Sequence, residues 1–126
     1  MVSVTDISAS ILNIARARVP DYLTGQPFIT KESNRNAVFS ARGLLGEVLD
    51  KSRSITTKRY RYIRNHMPWM PYDISQAYLE FYRPALHIMR QLDMENKLTL
   101  AQSLFFVDRK PDEELYDLKN DPYETK

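Results

Sequence analysis

The sequence predicts an α+β domain, in which a small antiparallel β-sheet carries packed helices. Apolar residues recur at helical spacing near the N-terminus and again after residue 76. Short segments with strand-like alternation lie between these helices and after them. The order of helix, strands, helices and a last strand is typical of a layered α+β fold. The 126 residues correspond to a single domain, 1–126.

Composition excludes several classes of function. The chain has no cysteine and two histidines, which excludes disulfides, zinc–thiolate sites and a cysteine nucleophile. Eighteen basic and sixteen acidic residues give a net charge of +2, which provides little attraction for a phosphate backbone. No apolar run approaches the roughly 18 residues that a membrane span needs. The sequence therefore predicts neither a nucleic-acid partner nor a membrane partner.

The first predicted element is an amphipathic helix over residues 4–15. One of Ser3, Thr5 and Asp6 is expected to cap its N-terminus. A loop that turns at Gly25 follows Pro20. The apolar face of the helix consists of Ile7, Ile11, Leu12, Ile14 and Ala15.

Strands dominate the middle of the chain. We expect a strand over 37–42 and a hairpin in which 54–57 and 60–64 flank a turn at 58–59. Residues 44–51 fit either a short helix or an ordered loop. An apolar stripe over 78–92 predicts a helix that Pro84 kinks or divides in two. Cap signatures lie at 73–76 and 99–102, and residues 114–118 alternate as a last strand.

Four segments together resemble one protein family. The tail EELYDLKNDPYET at 113–125 resembles the C-terminal signature of type I, formylglycine-dependent sulfatases of the arylsulfatase and heparan N-sulfatase kind. The hairpin RSITTKRYRYIRN at 53–65 is similar to the motif R-x-V-R-T-x-x-Y-K-Y-I-R-N of that family. Residues 97–102 are similar to its G-K-L-T-x-x-Q segment, and residues 6–26 to the segment before its Gly-rich loop. The resemblance covers nearly the whole chain.

The resemblance implies a sulfatase C-terminal subdomain from a parent of the alkaline-phosphatase-like superfamily. Residues 1–30 would be the end of the core-domain region and a linker, and residues 36–126 an antiparallel sheet plus helices. The parent activity would be sulfuric ester or sulfamate hydrolysis, here on a sulfated carbohydrate. The implied partner is the catalytic core of the same parent. Parents of this kind are usually periplasmic, secreted or lysosomal.

The catalytic machinery of the family is expected outside this chain. Formylglycine forms from Cys or Ser in C/S-x-P-x-R, and calcium is held by Asp and Asn side chains of the core. No two aspartates are adjacent in this sequence. We therefore expect this chain alone to be inactive, with calcium and formylglycine supplied by the core. The residues two positions before each proline are Arg18, Gly25, His66, Trp69, Tyr82, Arg109 and Asn120, none of which can become formylglycine.

The candidate substrate-binding residues lie in and before a proline-bounded loop after the hairpin. They are Arg64, Asn65, His66 and Trp69, which would touch a sugar at the rim of the pocket. The alternative interpretation is a structural loop whose Trp69 packs on the core. The basic segment 58–64 has three interpretations. It is a strand whose arginines face solvent, it contacts a sulfated glycan, or it binds nucleic acid. The low net charge of the chain argues against the third.

Two functions remain open at this stage. In the first, the chain completes a sulfatase fold and lines its substrate pocket, and its core-facing surface would be exposed in isolation and favour self-association. In the second, it is a stand-alone, non-catalytic module that binds a glycan or a protein.

Overall fold

The computed structural model describes residues 1–30 and 34–125 and confirms the predicted α+β class. The described residues form four α-helices, one 3₁₀ turn and four strands, and none of these helices is long and apolar enough to cross a membrane. In chain order the elements are α1 (Thr5–Ile14), β1 (Ala37–Leu45), β2 (Val48–Thr57), β3 (Tyr60–Asn65), α2 (Ala77–Tyr82), α3 (Pro84–Met94), the short α4 (Leu100–Ser103) with a 3₁₀ turn (Leu104–Phe106), and β4 (Glu113–Asp117).

The four strands form one antiparallel sheet in the order β1-β2-β3-β4. The predicted hairpin is β2–β3, in which Ile55 pairs with Tyr62. The last strand, β4, pairs with β3 along its whole length. Helices α2 and α3, with the loop before them, lie over one face of the sheet, where Val48 lines a cavity together with Leu79 and Leu86.

Residues 44–51, which the sequence left open between helix and loop, are instead the end of one strand and the start of the next. The register shifts between Arg42 and Leu44, so a bulge lies at Gly43. Gly46 then turns the chain with φ +61°, a conformation that side chains other than glycine rarely adopt. Two glycines within four residues therefore produce a second hairpin.

The helices between β3 and β4 are divided at proline, as the sequence predicts. Pro84 begins α3, where its missing N–H leaves no hydrogen bond unmade. Thr99 and Gln102 form the predicted capping box at α4. Asp73 does not cap a helix, because its carboxylate pairs with Arg90 at 2.7 and 2.8 Å. Helix α2 starts instead at Ala77, whose backbone N–H donates to the Glu47 carboxylate at 2.6 Å.

Helix α1 docks on the following loop through its polar side. Val4 occupies the N-cap position without a side-chain bond, so none of the three predicted caps is used in that way. Asp6 is fully buried and accepts hydrogen bonds from the backbone N–H groups of Ser3 and Gln26 at 2.7 and 2.9 Å. It also pairs with Arg35.

This docking is tight, and it holds the Asp6 carboxylate in its charged form. A Cβ on Gly25 would lie 2.1 Å from the Thr5 carbonyl oxygen, so only glycine allows the loop to approach α1 so closely. Burial raises the pKa of Asp6, but hydrogen bonds from the Arg35 guanidinium and two backbone N–H groups outweigh it and lower the pKa to about 2.

The apolar core of the described part is small. Among the aliphatic and aromatic side chains that the structure describes, only Ala9, Val48 and Pro68 are buried. The predicted apolar face of α1 is open, with Ile11 60% exposed, and Phe81 on α2 is 88% exposed. The accessible surface is 9504 Å², whereas a compact monomer of 14.8 kDa exposes about 7,000 Å². Exposed apolar side chains on α1 and α2 contribute to this excess.

Candidate functional site

The structure brings the four predicted site residues together at the end of β3. They line one open cavity of about 320 Å³. Acidic and basic side chains from the segment before β4 form the opposite wall. The lining residues are Arg64, Asn65, His66, Pro68, Trp69, Arg109, Asp112 and Glu113.

Backbone hydrogen bonds fix the loop that carries His66 and Trp69. The His66 N–H donates to the Lys51 carbonyl at 2.9 Å and so extends the β2–β3 ladder beyond the last strand residue. The Lys110 N–H donates to the Pro68 carbonyl at 2.9 Å. The loop is therefore held on one side by β2 and on the other by the approach to β4, which keeps its side chains at the cavity.

The four residues differ in what they offer to a ligand. Asn65 is 7% exposed, and its amide group donates to the Pro111 carbonyl at 2.8 Å and to Glu114 at 2.6 Å. It therefore positions the end of the strand. Trp69 is 59% exposed, and the Arg64 side chain is exposed to the same extent. Together with the exposed His66, they form the part of the site that a ligand can reach.

Glu114 is the centre of the polar network behind the cavity, a role that the sequence did not reveal. Its carboxylate accepts hydrogen bonds from Asn65, from the Tyr72 hydroxyl at 2.8 Å and from the Tyr116 hydroxyl. Burial and the bond to Glu114 raise the pKa of Tyr72 well above its usual range, and the same causes raise that of Tyr116. Strand alternation alone places Glu114 on the inner face, but it does not identify these partners.

A buried ion pair supports the same loop. The Lys110 ammonium lies 2.6 Å from Asp50, and their side chains are 1% and 2% exposed. Arg42 approaches the second Asp50 oxygen at 3.1 Å. The ammonium also lies 5.5 Å from the centre of the Tyr72 ring. The partners are 60 residues apart, so no local pattern in the sequence indicated them.

The exposed groups of this cavity offer two kinds of contact to a ligand. Guanidinium groups recognise tetrahedral oxyanions through paired hydrogen bonds, and an exposed indole offers a flat apolar surface to a ligand. Across residues 1–30 and 34–125, no three His, Cys, Asp or Glu side chains are arranged to hold a metal ion.

The fold and the sequence both match sulfatases. The fold is that of a segment of a candidate sulfatase from Bacteroides thetaiotaomicron, with a TM-score of 0.56 and 19% identity over 96% of this chain and 18% of that one. A curated relative, the ulvan-active sulfatase of Formosa agariphila, is 33% identical over 128 residues that include the whole of this chain. No protein-family profile matches the chain.

These matches confirm the sulfatase resemblance predicted from the motifs, and they show its extent. The chain is sulfatase-like along its full length, yet it spans about a fifth of the Formosa protein, 21%. Four-fifths of that relative therefore have no counterpart in these 126 residues.

Proposed function

We propose that this chain is the C-terminal subdomain of a sulfatase that acts on a sulfated polysaccharide. It completes the fold of a catalytic core, and its loop at 65–69 lines one side of the substrate pocket. The core would supply the formylglycine nucleophile and the calcium ion. The Formosa relative, named for its activity on ulvan, supports a polysaccharide substrate.

The exposed apolar surface is the observation that carries this proposal. The excess of about 2,500 Å² over a compact monomer is larger than the roughly 800 Å² that each partner buries in a standard interface. It includes the apolar face of α1 and the outer sides of α2 and α3. A stand-alone module would expose this area permanently to water, whereas a large core would cover it.

The position of the cavity supports the second part of the proposal. Arg64, His66 and Trp69 are the accessible groups on its loop side, and they are suited to an anionic sugar, while Arg109, Asp112 and Glu113 are exposed on the opposite wall. The first three lie on a loop that a rigid sheet holds in place. Sulfate-ester cleavage needs a positioned nucleophile and cations directed at the sulfuryl oxygens. This loop would supply orientation and charge, and the core would supply the chemistry.

A chimera tests this function. The matched 128-residue stretch of the Formosa sulfatase would be replaced by this chain, and sulfate release from ulvan would be compared with that of the Formosa protein lacking the stretch. We expect the chimera to be soluble and to release sulfate, and the deleted protein to do neither.

A chimera carrying Asp6→Asn serves as a matched control. That substitution weakens the docking of α1 without touching the cavity, so soluble yield should fall while the KM of the remaining enzyme stays constant. A folded, soluble chimera without sulfate release would contradict the proposal, as would full activity of the deleted protein.

A further inference from the structure

In the described residues, one face of the sheet carries no helix and exposes an apolar row that crosses all four strands. The cross-strand partners Phe39, Ile55, Tyr62 and Leu115 form this row. Phe39 is 75% exposed and Leu115 65% exposed. We call this side the open face.

Four basic side chains lie beside the apolar row, at the end of the open face that meets the His66 loop. Arg53 and Arg64 are direct cross-strand partners. The hydrogen bond from the His66 N–H to the Lys51 carbonyl, 2.9 Å long, adds one further pair. Since side chains two apart on a strand share a face, these residues form a two-by-two block. We call Lys51, Arg53, Arg64 and His66 the basic quartet.

Carboxylates of this chain leave most of that charge uncompensated. Glu113 lies 3.4 Å from Arg64, and both side chains are more than half exposed. The Arg53 guanidinium donates to the carbonyls of Arg42 and Ser52 at 2.8 and 2.7 Å. In the described part of the chain, no carboxylate lies within 4.0 Å of Arg53 or Lys51. Like charges directly opposite each other destabilise a strand pair, so an anion between them would remove a repulsion.

Two depressions meet at the quartet. One is the cavity at His66 and Trp69, and the other is a shallow groove of about 230 Å³ on the open face. Arg64 lines both. The groove is otherwise lined by Phe39, Arg53, Ser54, Ile55 and Tyr62. The guanidinium groups of Arg53 and Arg64 thus occupy the middle of a track formed by the two depressions, and aromatic rings lie toward both ends.

We propose that this track binds a sulfated polysaccharide chain, with sulfate groups on the basic quartet and sugar rings against Trp69 at one end and Tyr62 and Phe39 at the other. The proposal rests on the proposed sulfatase function, and it extends the ligand contact from the loop onto the open face. Guanidinium pairs suit sulfate because they donate two parallel hydrogen bonds. The net charge of +2 and the adjacent Glu113 favour a sparsely charged polymer over a nucleic acid.

The test compares matched polymers on the purified chain. Dextran sulfate and unsulfated dextran of equal length would be titrated at two salt concentrations, with inorganic sulfate in a third series. Trp69, the single tryptophan, provides the fluorescence signal. We expect dextran sulfate to bind more weakly at high salt, dextran not to bind, and inorganic sulfate to bind at least about a hundredfold more weakly than the polymer because it makes only one of the contacts.

Variants locate the site. The Lys51→Gln/Arg53→Gln double variant should bind dextran sulfate at least about tenfold more weakly. The single variant Lys51→Gln removes a charge from a freely exposed position and keeps the test valid if the double variant fails to fold. Lys58→Gln, in the turn at the other end of the hairpin, is the matched control and should leave the affinity unchanged. Far-UV circular dichroism would confirm the fold of each variant.

Three results would overturn the proposal. These are equal binding of both dextrans, equal losses in the Lys58→Gln and Lys51→Gln variants, or tighter binding of single-stranded RNA that the double variant abolishes. Each leaves the chimera's sulfate release unaffected, so failure here is distinct from failure of the proposed function. Conversely, an inactive chimera with intact dextran sulfate binding would reject the sulfatase role and keep the binding track.

Discussion

The buried pair Asp50–Lys110 predicts a larger loss of stability when Asp50 is replaced than when Lys110 is replaced. Asp50→Asn leaves the Lys110 ammonium 1% exposed and without a carboxylate. Removing one partner of a buried pair costs about 3–5 kcal/mol, because the remaining charge is uncompensated. Lys110→Met leaves Asp50 with Arg42 at 3.1 Å, and Arg42 reaches solvent. We expect this variant to lose only about 1–3 kcal/mol.

Urea denaturation of both variants tests this order. Far-UV circular dichroism would report the global transition, and Trp69 fluorescence would report the loop that Lys110 holds through Pro68. Because a domain of this size is stable by roughly 5–15 kcal/mol, Asp50→Asn should shift the midpoint strongly. Equal destabilisation, or a larger loss in Lys110→Met, would refute the assignment of Arg42 as the compensating cation.

Three further predictions follow from other contacts. The pKa of Asp6 is lowered from 3.8 to about 2 in the folded chain. About 2 kcal/mol of folding stability should therefore be present above pH 3.8 and be lost as the pH falls through 2. Amide hydrogen exchange of α1 that does not change down to pH 2 would contradict this. Ile11 is 60% exposed, so Ile11→Lys should change the unfolding free energy of the isolated chain by less than about 0.5 kcal/mol. The same substitution should reduce the soluble yield of the chimera. An equal yield would argue against α1 as a docking face. Glu114→Gln removes the charged acceptor of Asn65 and Tyr72 and should lower the free energy of unfolding by about 1.5–3 kcal/mol. The pKa of Tyr72 should then move down toward its ordinary range. An unchanged alkaline titration would show that Glu114 does not raise the pKa of Tyr72.

Local signals in the sequence predicted most of the elements. The break at Pro84 and the capping box at Thr99 depend on a few neighbouring residues, and the structure has both. The second hairpin was missed because Gly46 interrupts the alternation of residues 44–51 and a bulge at Gly43 precedes it. Asp73 was read as a cap because its distant partner, Arg90, could not be known from the local pattern.

The apolar face of α1 illustrates a different limit. Periodicity identified Ile7, Ile11 and Ile14 as a face that packs, yet each is about half exposed. The side of α1 that does pack within the chain is Asp6, Ala9 and Ser10. Apolar periodicity indicates that a surface packs against another surface, but it does not indicate whether that second surface belongs to the same chain.

The sequence predicted where the candidate residues lie, but it did not predict the contacts that hold them in place. Arg64, His66 and Trp69 follow from a proline-bounded loop after a hairpin, and the structure places them around one cavity. Their positioning depends on Glu114 and Lys110, which contact residues 42–60 positions away in the sequence. Such contacts depend on the assembled sheet, so no pattern within one segment encodes them.

Side-chain footprinting by hydroxyl radicals would show whether the exposed apolar sides of α1 and α2 dock on a catalytic core. Labelling of Ile11, Phe39 and Phe81 would be compared between the isolated chain and the chimera with the Formosa protein. Labelling of Tyr123, which is 85% exposed in this chain, would be measured in the same two samples. We expect strong labelling in isolation and strong protection of Ile11 and Phe81 in the chimera. Equal labelling of these two residues in both proteins would contradict it.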